Sequence, residues 1–362
     1  MNGLRHLIKS NFSYWILLVL FGVIALVIGN ICYQVISKLD TNFFLIHFND
    51  LLTSISITFF NNIIATILAV IIAFLITNYL YNKKSFKSSF LIILISFPHI
   101  SYCIGIIYLF ATSGFFARLF ALFYGNDIPF ISERGDASSS LIYIISLALR
   151  EVPFLVLIGL SVLKKINALQ IQKQVLVLGH SNLSALLCCI FPIWLKSMTL
   201  PILIIVTFCF SNYEFSSILG PQFPHMINVK IIDSWYSTNF NLAQQMNSLI
   251  IITILSSILA LITLYTLMQI LIGYLKNQKF LGFGNYNLFS LGKIFYFIVI
   301  ALFMIILFVT SLLSISESWF FPTIMPSSFS LRGFDYMVSN YLWLFFSSIF
   351  ISSIISILCL LF

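Results

Sequence analysis

Residues 164–197 read KKINALQIQKQVLVLGHSNLSALLCCIFPIWLKS, a mixed polar and apolar stretch caught between two long apolar runs. Ile171, Val175 and Leu178 recur at helical spacing while Gln170, Lys173 and Gln174 occupy other faces, the pattern of a helix lying along a membrane surface. Gly179 then permits a left-handed turn, because a residue without Cβ enters that region at no steric cost. His180 follows, and Ser181 or Asn182 stands where a side-chain oxygen caps the next helix as the chain re-enters the membrane. Pro192 lies thirteen residues beyond Gly179. The stretch therefore predicts helix, turn and helix: a rigid protrusion between two spans.

The surrounding chain supplies the membrane. Of 362 residues 60% are hydrophobic, 8% are charged and 39 are Phe, more apolar side chain than a soluble core of this size buries. Backbone amides in lipid must bond within their own segment, so about 20 residues of helix are needed to cross a core about 30 Å thick. The fold class expected is an all-α polytopic helical bundle. Eight stretches qualify, near 14–36, 54–79, 90–111, 140–163, 193–213, 246–274, 294–315 and 341–362. The first follows Arg5 and Lys9, exceeds a signal-peptide core and lacks a small-residue cleavage site, so it reads as an anchor. Cys32, Cys103, Cys188, Cys189, Cys209 and Cys359 are scattered, with no CxxC pair and no His spacing for a metal site; they read as small apolar residues.

Charge gives the orientation. Arg5, Lys9, Lys83, Lys84, Lys87, Lys164, Lys165, Lys173, Lys196, Lys276, Lys279 and Lys293 fall in alternate segments free of Asp and Glu. Asp40, Asp50, Asp127, Glu133, Asp136, Asp233, Glu317 and Asp335 occupy the others. The positive-inside rule makes the basic side cytoplasmic and places the amino terminus there. The formal +8 charge is thus a topology signal, and no contiguous basic face for nucleic acid accompanies it.

A weak internal repeat relates 14–50, followed by Thr58, Phe59, Phe60, Asn61 and Asn62, to 294–335, followed by Leu344, Phe345, Phe346, Ser347 and Ser348, at an offset of 280 to 286 residues. It divides the chain into an anchor helix and outer loop (1–50), a first transmembrane unit (51–275) and the start of a second unit (276–362). On this reading the second unit is incomplete, since the chain ends inside an apolar run with no basic anchor.

Polar groups inside the spans are the other signal. Arg150 and Glu151 lie mid-span, where each charge costs about 2.5–3.5 kcal/mol, so they are expected to face other helices or a wet cavity. Pro153 frees the Leu149 carbonyl, and Pro98 with His99 marks a second kink. His99, Arg150 and Glu151 line the solute path or pack helices through a buried ion pair. Glu214 ends the fifth span near the outer surface, where it contacts a delivering protein or caps the next segment. Trp235, Tyr236, Trp319, Phe320 and Phe321 read as interface anchors.

The stretch at 164–197 resembles the cytoplasmic loop of permease subunits of binding-protein-dependent ABC importers. That loop carries Glu-Ala-Ala, three residues, Gly, nine residues, Ile, one residue, Leu-Pro. Leu178, Gly179 and Pro192 match in spacing; Lys173, Gln174 and Val175 replace the acidic start, Cys189 the Ile and Phe191 the Leu. Arg150, Glu151, Pro153 and Phe154, then Glu214, Phe215, Leu219 and Gly220, look like fused two-repeat permeases for thiamine, ferric iron and similar solutes. The resemblance implies a MetI-like permease fold, a bacterial inner-membrane location, an extracytoplasmic solute-binding protein and a separate cytosolic ATPase dimer that pushes on the protrusion. ATP would be bound there, since this chain has no GxxxxGK[ST] phosphate loop and no cofactor of its own is expected. Two other readings stand beside it. One is an ion-coupled secondary transporter using Arg150 and Glu151. The other is a membrane enzyme, against which no Asp-rich pair or His/Asp constellation faces either surface.

Overall fold

No glycine or proline interrupts the chain between Phe48 and Asn82, and apolar residues fill it, so one continuous helix forms: α1, Phe48–Asn82. The computed structural model describes residues 48–83, 89–111, 113–125, 137–238, 240–277 and 288–361. The anchor expected near 14–36, with Arg5, Lys9, Cys32 and most of the first copy of the repeat, lies outside those residues. The helices that follow are α2 (Ser89–Ile95), α3 (His99–Phe110), α4 (Phe115–Tyr124), α5 (Ala137–Lys165), α6 (Ala168–Val177) and α7 (Asn182–Ser197). Then come α8 (Thr199–Ser211), α9 (Tyr213–Ile218), α10 (Ile227–Tyr236), α11 (Phe240–Asn277), α12 (Leu288–Ile315) and α13 (Arg332–Leu361). Among the described residues six helical segments are long and apolar enough to cross a membrane, or seven if α7 and α8 form one bent span. The protein is an all-α, multi-pass membrane protein in its spans.

Two expectations change in detail, and one element is new. The span near 90–111 is not one kinked helix: Pro98, lacking an N–H, starts a new helix at His99, and the chain is non-helical over Ser96–Pro98. The span near 193–213 begins earlier, at Asn182, and bends by 60° at Met198. Pro201 lies three residues past the bend and leaves the Ser197 carbonyl without its helical donor. The loop after α12 is not all irregular: β1 (Ser316–Ser318) and β2 (Ser328–Phe329) form a small antiparallel hairpin.

Packing centres on α1 and α5. Ala65, Ala69 and Ala73 present almost no exposed surface and let the two backbones approach, where Leu147, Ala148, Leu155 and Val156 close the interface. A polar stripe shares this buried side at a spacing of four: Ser54, Thr58, Asn62 and Thr66. The Thr58 hydroxyl accepts from the Ile227 N–H at 3.0 Å, and the Tyr143 hydroxyl donates to Asn62 Oδ1 at 2.8 Å. These bonds tie α10 and α5 to α1 where lipid would offer no partner.

α12 shares the same core through Val299, Phe303, Ile306 and Val309. It approaches α1 so closely that a Cβ on Gly292 would lie 2.3 Å from the Leu75 carbonyl oxygen. Burial falls steeply outward: 67% of the apolar window is buried in α5 and 61% in α1, against 22% in α12 and none in α13. Charge pairing also differs by side. Lys230 pairs with Asp50 at 2.7 Å and Arg332 with Glu317 at 3.3 Å, both among the acidic connections. Lys164, Lys165, Lys173, Lys196 and Lys276 are exposed on the basic side.

Candidate functional site

The protrusion forms from local rules. Asn167 takes a left-handed conformation (φ 49°) after α5, and α6 runs from Ala168 to Val177 along the basic side. Gly179 takes φ 83°, the Gly179 N–H donates to the Leu176 carbonyl, and the His180 N–H donates to the Val175 carbonyl. This pair of bonds is the Schellman closure, and it requires a left-handed residue at the position Gly179 holds. Ser181 caps α7, its hydroxyl accepting from the Ser184 N–H at 3.2 Å, and Gln172 Nε2 donates to Asn182 Oδ1 across the turn. The predicted helix, turn and helix are present, with Ser181 as the cap.

Pro192 stands in the first turn of the α-helical segment Phe191–Ser197, which continues the helical run of α7. Its ring and missing N–H would break an ordinary α-helix. Here the preceding turn, Ala185–Ile190, is π-helical, and this wider winding precedes the proline. Beyond it Trp194 is fully buried, its ring 5.2 Å from that of Phe74, with its Nε1 unpartnered among the described residues. The free end is the opposite case. Val177 is 87% and Leu178 72% exposed, with Lys173, Gln174 and Leu176 exposed beside them and Val175 turned inward. Three consecutive apolar side chains therefore crown the protrusion, the kind of patch that marks a contact surface.

A second locus lies at the centre of the bundle. Arg150 and Glu151 sit at the midpoint of α5, 5% and 8% exposed. Arg150 Nη2 donates to the carbonyls of Ile95 (3.1 Å) and Phe97 (2.8 Å), which the break before α3 deprives of helical donors. Arg150 thus caps the carboxyl end of α2, where a cation also suits the helix dipole. The capping is incomplete: Arg150 Nε, Glu151 Oε1 and His99 Nδ1 are buried without a partner among the described residues. The His99 ring lies 5.2 Å from Phe208 and 6.3 Å from Phe215, so α8 and α9 close over it. Glu214 precedes Phe215 in the first turn of α9 and is half-buried. The structure thus brings His99, Arg150 and Glu151 to one level, with the helix bearing Glu214 packed against α3. Arg150 and Glu151 do not pair with each other, because neighbours on a helix diverge by about 100°.

Arg118 has no counterpart in the sequence-based expectations. It donates from Nε to Ser113 O (2.9 Å), from Nη1 to Phe320 O (3.0 Å) and Thr323 O (2.6 Å), and from Nη2 to Trp319 O (3.3 Å). Its guanidinium lies 4.9 Å over the Trp319 ring. It fastens the hairpin loop to α4, so Trp319 and Phe320 serve that contact as well as an interface. No group of three or more His, Cys, Asp or Glu side chains among the described residues is arranged to hold a metal ion. No protein-family model matches the chain, and no curated protein matches it.

Proposed function

We propose that the chain is the transmembrane permease subunit of a binding-protein-dependent ABC importer, with eight spans in the MetI-like arrangement and its amino terminus in the cytoplasm of a bacterial cell. A solute-binding protein would deliver the solute to the acidic side, and a separate ATPase dimer would bind the protrusion on the basic side. The observation that supports this reading is the apolar crown of Leu176, Val177 and Leu178, presented by a turn that Gly179 closes in the left-handed conformation. A loop that merely reversed the chain would have no need of exposed apolar side chains on a rigid support. In this reading Lys173, Gln174, Leu178, Gly179, His180 and Pro192 form or carry the docking element. His99, Arg150, Glu151 and Glu214 belong to the path.

The test uses a cysteine placed at Val177 in a cysteine-free background, cross-linked in native membranes. The expected adduct contains a subunit that photolabels with azido-ATP, and Gly179→Asp eliminates it without reducing membrane insertion. Modification of that cysteine by an impermeant reagent from the acidic side, or an adduct that never binds nucleotide, overturns the reading. A second reading, an ion-coupled transporter, draws on Glu151 Oε1, buried without a partner among the described residues. It expects solute movement that survives ATP depletion and stops with an uncoupler.

A further inference from the structure

The break between α2 and α3 leaves more than carbonyls exposed. α3 is twelve residues long and begins at His99 with Pro98 as its N-cap, which supplies no side-chain hydrogen bond. The first intrahelical bond is made by the Tyr102 N–H to the Pro98 carbonyl. The N–H groups of His99, Ile100 and Ser101 therefore have no acceptor among the described residues, and they point out of a helix whose dipole makes that end positive. Arg150 reaches this place from α5, with its guanidinium 2.8 Å from the Phe97 carbonyl and its Nε–H buried and unused. His99 Nδ1 is likewise buried and unused. Ser96, Pro98 and Ile100, at and beside the break, are exposed. Bare amides at mid-span do not face hydrocarbon, so the break faces water or another protein.

The geometry points to an oxyanion-binding point at the start of α3, formed by the His99, Ile100 and Ser101 amides with the Arg150 guanidinium, for a carboxylate or phosphate group of the transported solute. Broken helices in transporters turn their positive half-helix ends toward anionic groups in the same way, and amides of one helix end with one guanidinium suit a single oxyanion. Glu151 adjoins the site from the next position on α5, its Oε1 unpartnered, and its charge opposes an anion. It sets the affinity low enough for release. The assignment rests on the permease reading for its solute, not for its chemistry.

The experiment is calorimetric titration of the full chain in phosphatidylcholine nanodiscs with inorganic phosphate, and with choline chloride as the cationic control. Phosphate should bind saturably and choline should not. Arg150→Gln should weaken phosphate by at least about tenfold, and Glu151→Gln should tighten it about threefold or more. Arg118→Gln, remote from the break, should leave it unchanged. No saturable phosphate binding by the parent chain, binding indifferent to Arg150→Gln, or binding weakened by Glu151→Gln overturns the site. No ATPase is required: phosphate binding without a nucleotide-binding adduct at Val177 refutes the permease reading alone, and the reverse refutes only the anion site.

Discussion

Arg118 and Arg150 are both buried, both in apolar surroundings, and both donate to main-chain carbonyls, yet they are built differently. Arg118 distributes its nitrogens over Ser113, Trp319, Phe320 and Thr323 and lies against an indole face. Arg150 uses one nitrogen for two carbonyls, and its Nε and the Glu151 Oε1 have no partner among the described residues. A guanidinium with all three nitrogens engaged, four of its five donors bonded, has a structural task completed by the fold. One that bonds through a single nitrogen, at a helix break, has capacity for something the chain does not contain. The same contrast separates Thr58, whose hydroxyl holds a buried amide, from Trp194, whose N–H has no partner among the described residues.

The largest effect expected on stability is from Arg150→Ala, which strands two carbonyls and leaves Glu151 uncompensated, at about 3–5 kcal/mol. Replacing both residues, Arg150→Met with Glu151→Leu, should recover the share of that loss due to Glu151 in detergent melts, with the Ile95 and Phe97 carbonyls still unbonded and phosphate binding still absent. A double variant no more stable than Arg150→Ala would break the contrast. Arg118→Ala should cost less, about 1–3 kcal/mol, with faster hydrogen exchange confined to 316–329. If exchange also rises around 95–101, the two arginines are not independent. Thr58→Val orphans the Ile227 N–H and should cost about 1–3 kcal/mol. Trp194→Phe removes an N–H without a partner among the described residues, so it should cost only the lost packing of the smaller ring, about 1–2 kcal/mol, which thermal melting can check. Smallest is the Lys230–Asp50 pair: Asp50 is 61% exposed, and a double-mutant cycle should give a coupling below about 1 kcal/mol.

The apolar spans were legible because lipid imposes one rule on length and composition, and α1, α11 and α12 obey it without a charge in the middle. Gly179 was legible for an equally local reason: a Schellman turn needs its special residue in the chain itself. The break at Pro98 was half-read, as a kink, since a proline announces a lost bond without saying whether neighbours will hold the helix together. Arg150 holds the two pieces apart, from more than 50 residues away. Arg118 was invisible for the same reason, because its carbonyl partners in the hairpin loop lie 201 to 205 residues along the chain. The polar stripe Ser54, Thr58, Asn62 and Thr66 did carry a signal, a spacing of four within an apolar helix. Pro201 carried a local hint of the bend at Met198.

The π-helical turn before Pro192 has a mechanical consequence. Because the winding widens instead of breaking, the sixteen residues of α7 form one beam about 24 Å long, from the Ser181 cap to the elbow at Met198. Tilting such a beam by about 5° at its capped end carries the other end through about 2 Å. Trp194, buried against Phe74, travels with the beam, while Phe191 and Leu195 beside it line a cavity of about 430 Å³ that leaves room for such a displacement.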